Sequence, residues 1–310
     1  MSLSSHISKS SRALLVLSVT AIGAALAMAG CTSLADKERE LVFRIEPGVA
    51  RWYDGLPEGI REFDLPVASR VASPPGAAST RQTIHAWWWP SARPHAPAVL
   101  YLHGSRWNLT GQLFRIRQLH ELGFSVFAID YRGFGKSEGD APSEKAVYED
   151  ARVGWDAMAK LEPDARRRFI YGHSLGGTIA VDLASSLSKE AEKSGSESPA
   201  RGLVVESSFT NLADIARAFS YSWLPVQLLL SQKFDAIDKI ADVRMPVIVL
   251  HGASDRYVPV DLGRRLYDAA SAPKRLVVVD GGTHNNSLRM GESDVRRAFA
   301  ELFQLRTPAS

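Results

Sequence analysis

Cysteine is almost absent from this chain of 310 residues, since Cys31 is the only one. A single thiol cannot form an intramolecular disulfide, so the hydrophobic core must stabilise the fold. Long runs of lysine and arginine are also missing, and the formal net charge is only +3. Without a basic stripe or helix, we expect no nucleic-acid partner. A content of 45% hydrophobic and 23% charged residues excludes collagen-like, coiled-coil and wholly disordered chains.

Acidic residues are absent from residues 1–30. There, Lys9 and Arg12 precede an apolar segment, residues 13–29, that ends in small residues. This order of a basic region and an apolar region is typical of a secretory signal peptide. As a helix, the segment is slightly too short to cross a hydrocarbon core of ~30 Å. We predict a signal peptide over residues 1–30, with an uncleaved anchor as the alternative.

The signal peptide is followed by the sequence Met28-Ala29-Gly30-Cys31. It resembles the lipobox of bacterial lipoproteins, and the resemblance implies that Cys31 becomes lipidated and anchors the protein to a membrane. A small buried cysteine is the alternative, but a residue between an apolar signal and a polar stretch has no core to enter. Thr32 is not the Asp that such lipoproteins use for retention in the inner membrane. We therefore expect a lipoprotein of the outer membrane that faces the periplasm.

The rest of the chain divides by pattern into residues 31–79, predicted as a tether and an irregular segment, and residues 80–305, predicted as one domain. In the domain, apolar runs typical of buried parallel strands alternate with helical patterns. This alternation predicts an α/β fold with a doubly wound, mostly parallel sheet. The predicted strands are Gln82–Trp89, Ala98–Leu102, Ser125–Ile129, Phe169–Tyr171, Leu203–Val205, Val247–Leu250 and Leu276–Val279, and the predicted helices are Gln112–Leu122, Ser143–Leu161, Leu175–Leu187, Asp261–Ala269 and Ser293–Phe303. The polar stretch Lys189–Pro199 is predicted as a loop.

A serine stands in a glycine-flanked turn, Gly172-His173-Ser174-Leu175-Gly176, between a predicted strand and an apolar helix. In this strand, turn and helix context the pattern is typical of a nucleophile elbow, whose tight turn exposes the serine hydroxyl. The alternative is a glycine-rich turn with an incidental serine. Since ligands bind at the carboxyl ends of parallel strands, Ser174 is the candidate nucleophile.

A serine hydroxyl is a poor nucleophile and needs an imidazole base that a carboxylate orients. His284, after the last predicted strand, is the candidate base, and Asp255, after Val247–Leu250, is the candidate acid. Glu206, after the preceding strand, is the alternative acid, and Asp280 is interpreted as a strand-end cap. The chain order of serine, aspartate and histidine is that of α/β-hydrolases.

A tetrahedral intermediate needs two N–H donors for its oxyanion. One is expected from Leu175, the residue after the nucleophile. The other is expected from the loop after Ala98–Leu102, where Ser105 is favoured and Arg106 is second. His103 in this loop is interpreted as a residue that shapes the loop.

Taken together, these motifs resemble the Bem46-like branch of the α/β-hydrolases, whose mammalian relatives include depalmitoylating and lysophospholipid hydrolases. The resemblance covers roughly residues 80–305, and the sequence departs from the pattern of that branch at Ser105–Asn108. It implies the α/β-hydrolase fold and the three-residue catalytic arrangement. The motifs that carry it are Leu102-His103-Gly104, Asp130–Ser137, the elbow of Ser174, Glu206–Thr210 and the loops of Asp255 and His284.

An apolar run at residues 219–230 lies inside a short cap predicted at about residues 210–238. It predicts a lid over an acyl pocket, and a helix packed on the core is the alternative.

From these motifs together we expect a serine hydrolase that cleaves esters or thioesters of small-molecule or lipid-like acyl substrates through an acyl-enzyme. No cofactor and no metal are expected. An acyltransferase, or a non-catalytic membrane-tethered binding module, is the alternative.

Overall fold

A computed structural model describes residues 34–67, 82–218, 230–271 and 273–305 of the chain. The strands are β1 (Arg61–Val67), β2 (Gln82–Trp89), β3 (Ala98–Leu102), β4 (Ser125–Ile129), β5 (Arg168–His173), β6 (Gly202–Glu206), β7 (Val247–Gly252) and β8 (Lys274–Val279). The helices are α1 (34–43), α2 (Leu109–Glu121), α3 (Glu144–Leu161), α4 (Leu175–Ser194), α5 (Leu212–Ala218), α6 (Ala236–Lys239), α7 (Val260–Ala269), α8 (Ser287–Met290) and α9 (Glu292–Phe303).

The strands form a single sheet of eight in the order β1-β2-β4-β3-β5-β6-β7-β8. The pairs β1 with β2 and β2 with β4 are antiparallel, and every later pair is parallel. The prediction of a doubly wound, mostly parallel sheet is therefore confirmed. Parallel neighbours align their carboxyl ends, so the loops after β3, β5, β6, β7 and β8 meet at one edge of the sheet.

The core has two halves, one on each face of the sheet. In β3, Leu100 belongs to the half that α3 and α4 cover, whereas Val99 and Tyr101 belong to the half that α2 and α9 cover. Every residue of β3, β4 and β6 is buried. Burial on both faces explains why these strands appear in the sequence as continuous apolar runs.

The segment before residue 80 differs from the tether and irregular stretch that the sequence pattern predicts. It contains α1, and β1 pairs with β2 at the edge of the main sheet. Phe43, at the end of α1, is fully buried and packs edge-on against Phe134 and Phe234. Periodicity does not reveal α1, because two of its apolar residues, Leu34 and Leu41, face solvent.

Helix α4 also continues beyond its predicted end, as far as Ser194 and thus into the first half of the stretch predicted as a loop. Its last two turns are mostly exposed, so the polar composition of Lys189–Pro199 did not indicate a helix. The helix stops at Gly195, whose φ of 64° is the left-handed conformation that commonly ends helices.

Two short helices, α5 and α6, lie between β6 and β7, where the cap is predicted. Most of the predicted lid, residues 219–229, lies outside the described residues. Within the described ranges, no helix is long and apolar enough to cross a membrane.

Candidate active site

Ser174 lies at the turn between β5 and α4, with φ 56° and ψ −123°. This is a strained conformation for a residue with a side chain, and such strain is typical of functional turns. The two flanking positions must be glycine, because a side chain at either one would collide with neighbouring backbone. A Cβ on Gly172 would lie 2.2 Å from the carbonyl oxygen of Gly176, and a Cβ on Gly176 would lie 2.1 Å from that of Leu102.

The loop after β6 holds this strained turn in place. The Ser174 amide donates to the carbonyl of Glu206 at 2.9 Å, and the hydroxyl of Ser208 donates to the Ser174 carbonyl at 2.8 Å. Because both bonds bind its backbone, neither one uses the Ser174 hydroxyl. The side chain is left facing a cavity that His284 also lines.

His284 and Asp255 are brought together from the loops after β8 and β7. The Nδ1 of His284 lies 2.8 Å from Oδ2 of Asp255, whose side chain is fully buried. The amides of Tyr257 and Val258 donate to Oδ1 at 2.8 and 2.9 Å. Burial opposes ionisation of Asp255, but the hydrogen bonds from His284 and the two amides outweigh it and lower the pKa of Asp255. The ionised carboxylate orients the ring so that Nε2 is the nitrogen left to accept a proton.

Glu206, the alternative acid, has other partners. It is fully buried and pairs with Nε of Arg115 at 2.7 Å, while the hydroxyl of Tyr171 donates to it at 2.8 Å. Asp280 is exposed at the end of β8. Of the three carboxylates considered, the structure places Asp255 against His284. The catalytic roles themselves stay predictions.

Two further side chains hold the loop of His284, and the sequence pattern assigned this role to neither of them. Nε2 of His173 lies 2.9 Å from the His284 carbonyl oxygen, and Nη2 of Arg115 donates to the carbonyl of Asn285 at 3.4 Å. Burial, helped by the nearby Arg115 charge, lowers the pKa of His173 well below its usual range. His173 is therefore neutral and can donate from Nε2 to that carbonyl.

The two expected oxyanion donors lie beside Ser174. Leu175 is the first residue of α4, where an amide has no partner inside the helix. Ser105 and Arg106, the two candidates in the loop after β3, differ in their bonding. The Arg106 amide already donates to the carbonyl of Phe43 at 2.7 Å, whereas the Ser105 amide has no hydrogen-bond partner in the part of the chain that the structure describes. The geometry therefore favours Ser105.

The loop after β3, which we call the oxyanion loop, is bonded to the last turn of α1 and to the residues that follow it. The carbonyl of Arg106 accepts from the Glu46 amide at 2.9 Å, and Nε of Arg106 lies 3.0 Å from the Glu46 carboxylate. The Ser105 hydroxyl donates to the Val42 carbonyl at 2.8 Å. These bonds hold Arg106 at a φ of 91°, which side chains rarely adopt. The contact joins residues about sixty positions apart, so local patterns could not reveal it.

Two substitutions at position 106 test whether this backbone geometry matters. We expect Arg106→Ala to be about 1–2 kcal/mol less stable than Arg106→Gly, because alanine resists a positive φ and glycine does not. The alanine variant should also have the lower kcat, since relaxation of the loop moves the Ser105 amide. Thermal unfolding and steady-state kinetics on a soluble ester measure both effects. Equal kcat values would show that the backbone at position 106 does not set the oxyanion loop.

The cavity in front of Ser174 has a volume of about 620 Å³. This is the size of a typical small-molecule site. Its walls are mostly apolar, with Leu41 from α1, Leu212 and Ile215 from α5, and Phe209 from the loop before α5. Among the described residues that line it, none is aspartate or glutamate, whereas Arg44 and Arg106 are present.

Comparison with known proteins agrees with this fold. A family model described as serine aminopeptidase, S33, matches residues 93–233. An uncharacterized protein of Mycobacterium tuberculosis is 38% identical over 202 residues, which cover 64% of this chain and 67% of that protein. The lysophosphatidylserine lipase ABHD12 of Danio rerio is 31% identical over 206 residues, covering 61% of this chain and 51% of the lipase. The match thus spans about half the length of that lipase.

Solved structures show the same architecture. The Pyrococcus furiosus esterase Pf2001 matches with a TM-score of 0.61 and 17% identity, covering 85% of this chain and 98% of the esterase. An α/β-hydrolase from Vibrio vulnificus matches with a TM-score of 0.58 and 22% identity, covering 71% of this chain and 78% of its own. With the sheet, the elbow and these similarities together, the chain belongs to the α/β-hydrolase superfamily.

Proposed function

We propose that this protein is a serine hydrolase of the Bem46-like branch that cleaves ester or thioester bonds of lipid-like acyl substrates. One observation carries the proposal: the strained Ser174 and His284, whose ring is hydrogen-bonded to the buried Asp255, line a single, mostly apolar cavity. Apolar walls suit an acyl chain, and the paired groups suit acyl transfer. The lipase and esterase among the similar proteins support the same substrate class.

The proposed reaction has two halves. Oγ of Ser174 attacks the acyl carbonyl carbon while Nε2 of His284 takes the hydroxyl proton, and Asp255 stabilises the resulting imidazolium. The amides of Leu175 and Ser105 donate to the oxyanion; one such donor is typically worth about 10²–10³ in rate. The tetrahedral intermediate collapses, and His284 gives the proton to the departing alcohol or thiol. Water then attacks the acyl-enzyme by the same route, which releases the acid and restores Ser174.

Aminopeptidase activity, which the family description raises, fits the cavity less well. An aminopeptidase must bind a positively charged α-ammonium group, and a carboxylate is the usual partner for such a charge. The described lining of the cavity has no carboxylate and has two arginines, Arg44 and Arg106, which repel an ammonium group. An acyltransferase would use the same residues with an acceptor other than water.

The function is tested with a panel of p-nitrophenyl esters, from acetate to decanoate, beside leucine p-nitroanilide. We expect ester turnover that rises with chain length, because each buried methylene contributes about 0.8 kcal/mol. The anilide should stay uncleaved. Cleavage of the anilide with little ester turnover would contradict the proposal and favour a peptidase. Labelling by a fluorophosphonate probe separates an active serine from a non-catalytic binding module.

We also propose that Cys31 is lipidated and that the protein is an outer-membrane lipoprotein facing the periplasm. The support is the lipobox-like sequence, since residues 1–33 lie outside the described residues. We expect Cys31→Ser to abolish incorporation of a palmitate analogue in growing cells, because the thiol is the acceptor for the lipid. Ser33→Ala is the matched control two residues away and should keep the label. Label retained by Cys31→Ser would contradict the lipoprotein assignment.

A further inference from the structure

Exposed apolar side chains are concentrated in the chain around α1. In the described ranges, five of the nine large apolar side chains that are exposed lie within residues 34–56. The most exposed of them are Leu34 at 59%, Leu41 at 75%, Val49 at 67% and Trp52 at 55%. Such a concentration in a folded domain marks an interaction surface, whereas scattered single residues would need no explanation.

Several of the exposed apolar side chains lie at the mouth of the cavity or next to it. Leu41 and Tyr257, which is 62% exposed, line it directly. Leu34 precedes Leu41 by two helical turns and therefore lies on the same face of α1. Trp52 packs against Trp107, another lining residue, with ring centroids 4.8 Å apart.

Val49 lies next to the same wall. The carbonyl of its neighbour Gly48 accepts a hydrogen bond from the side chain of Asn108, the residue after Trp107, at 2.7 Å. We refer to Leu34, Leu41, Val49, Trp52 and Tyr257 together as the apolar rim.

The predicted anchor lies very close to this rim. Only two residues separate Cys31 from Leu34, and three peptide steps reach at most about 10 Å. Acyl chains on Cys31 would therefore hold α1 against the bilayer surface. A distant tether would leave the orientation of the domain free, but this short connection does not.

We propose that the apolar rim docks on the bilayer that carries the lipid anchor, so that the mouth of the cavity faces the membrane and takes acyl substrates from it. This docking rests on the proposed function, including lipidation of Cys31. Exposed apolar residues that enter the boundary between headgroups and acyl chains contribute binding free energy, and they orient the domain. A substrate whose chain already lies in the bilayer then enters an apolar cavity without crossing water.

The charges near the rim are compatible with a bilayer surface. Arg44 is exposed at the cavity and can contact lipid phosphates. The acidic side chains of α1 have partners: Asp36 pairs with Arg39, Glu40 pairs with Lys37, and Glu38 accepts hydrogen bonds from the amides of Ser231 and Gln232. Pairing reduces the repulsion between these carboxylates and anionic lipids.

The chain offers a matched control on the opposite side. Leu161 is 38% exposed and ends α3, just before the chain enters β5. It therefore lies at the amino edge of the parallel strands, whereas Ser174 and the rim lie at the carboxyl edge. A substitution at Leu161 changes an exposed leucine without touching the proposed docking surface.

The first test uses environment-sensitive thiol probes on the full chain, purified from cells and reconstituted into vesicles of phosphatidylethanolamine and phosphatidylglycerol. Because Cys31 is the only cysteine, a lipidated protein has no other thiol, so Val49→Cys and Leu161→Cys each place a single probe. We expect probe fluorescence at position 49 to rise about twofold on reconstitution, as apolar surroundings replace water. The probe at position 161 should not respond. Equal responses at the two positions, or none at position 49, would overturn the docking surface.

The second test compares substrates in the membrane with substrates in solution. We expect the double variant Leu34→Glu, Val49→Glu to hydrolyse a long-chain ester embedded in the vesicles about tenfold more slowly, while p-nitrophenyl acetate in solution is hydrolysed at the unchanged rate. Leu161→Glu should change neither rate. Unchanged vesicle turnover in the double variant would overturn the docking.

Failure of the proposed function gives different results. Loss of p-nitrophenyl acetate hydrolysis in every form of the protein would contradict the hydrolase. A reactive Cys31 thiol in the protein without substitutions, as purified from cells, would contradict lipidation of Cys31. Neither of these results depends on which face meets the bilayer.

Discussion

Replacing Ser174 with alanine is expected to lower ester turnover by roughly 10⁵-fold, because the serine, histidine and aspartate of such a site act as a unit. The effect on stability should be small. Serine and alanine are similarly strained at a φ of 56°, and the two hydrogen bonds that hold this turn bind the backbone of residue 174. Turnover of p-nitrophenyl butyrate measures the loss, and far-ultraviolet circular dichroism checks the fold.

The double variant Ser174→Ala, His284→Ala provides the control for this result. If the two residues act together, the second substitution should lower ester turnover hardly any further. Undiminished turnover in folded Ser174→Ala protein would show that another group is the nucleophile.

The second large effect is a contrast between two buried carboxylates. We expect Asp255→Asn to lower kcat by about 10⁴-fold with little loss of stability, because the amide favours the wrong tautomer of His284. Glu206→Gln should instead lower the stability strongly and kcat only slightly. It leaves the fully buried Arg115 without its charged partner, and breaking such a pair costs about 3–5 kcal/mol.

Kinetics and thermal unfolding on both variants separate these outcomes. Activity per folded molecule should remain substantial in Glu206→Gln, since in the described structure Arg115 donates to the Asn285 carbonyl and to no side chain of Ser174, Asp255 or His284. A much larger fall in kcat for Glu206→Gln than for Asp255→Asn would show that Glu206 orients the base.

The sequence predicted correctly those elements that are determined by neighbouring residues in the chain. The inner strands are buried on both faces, so their apolar runs predicted them closely, and the bounds of Ala98–Leu102 and Ser125–Ile129 agree with the structure. The elbow of Ser174 was predictable for the same reason, because its two glycines and its strain come from a turn of five residues. The polar end of α4 was missed, since exposed helix turns and loops share one composition.

Tertiary structure decided the choices that depend on distant partners. Asp255 follows one buried strand and Glu206 ends another, and only the fold shows that Asp255 meets His284 while Glu206 meets Arg115. Likewise, the sequence favours Ser105 over Arg106 as the oxyanion donor, but only the fold shows that the Arg106 amide is already bonded to the Phe43 carbonyl. The chain around α1 shows the widest gap between sequence and structure. Leu34 and Leu41 face solvent while Phe43 is buried, so the apolar residues of α1 do not form the single buried stripe from which a helix is predicted.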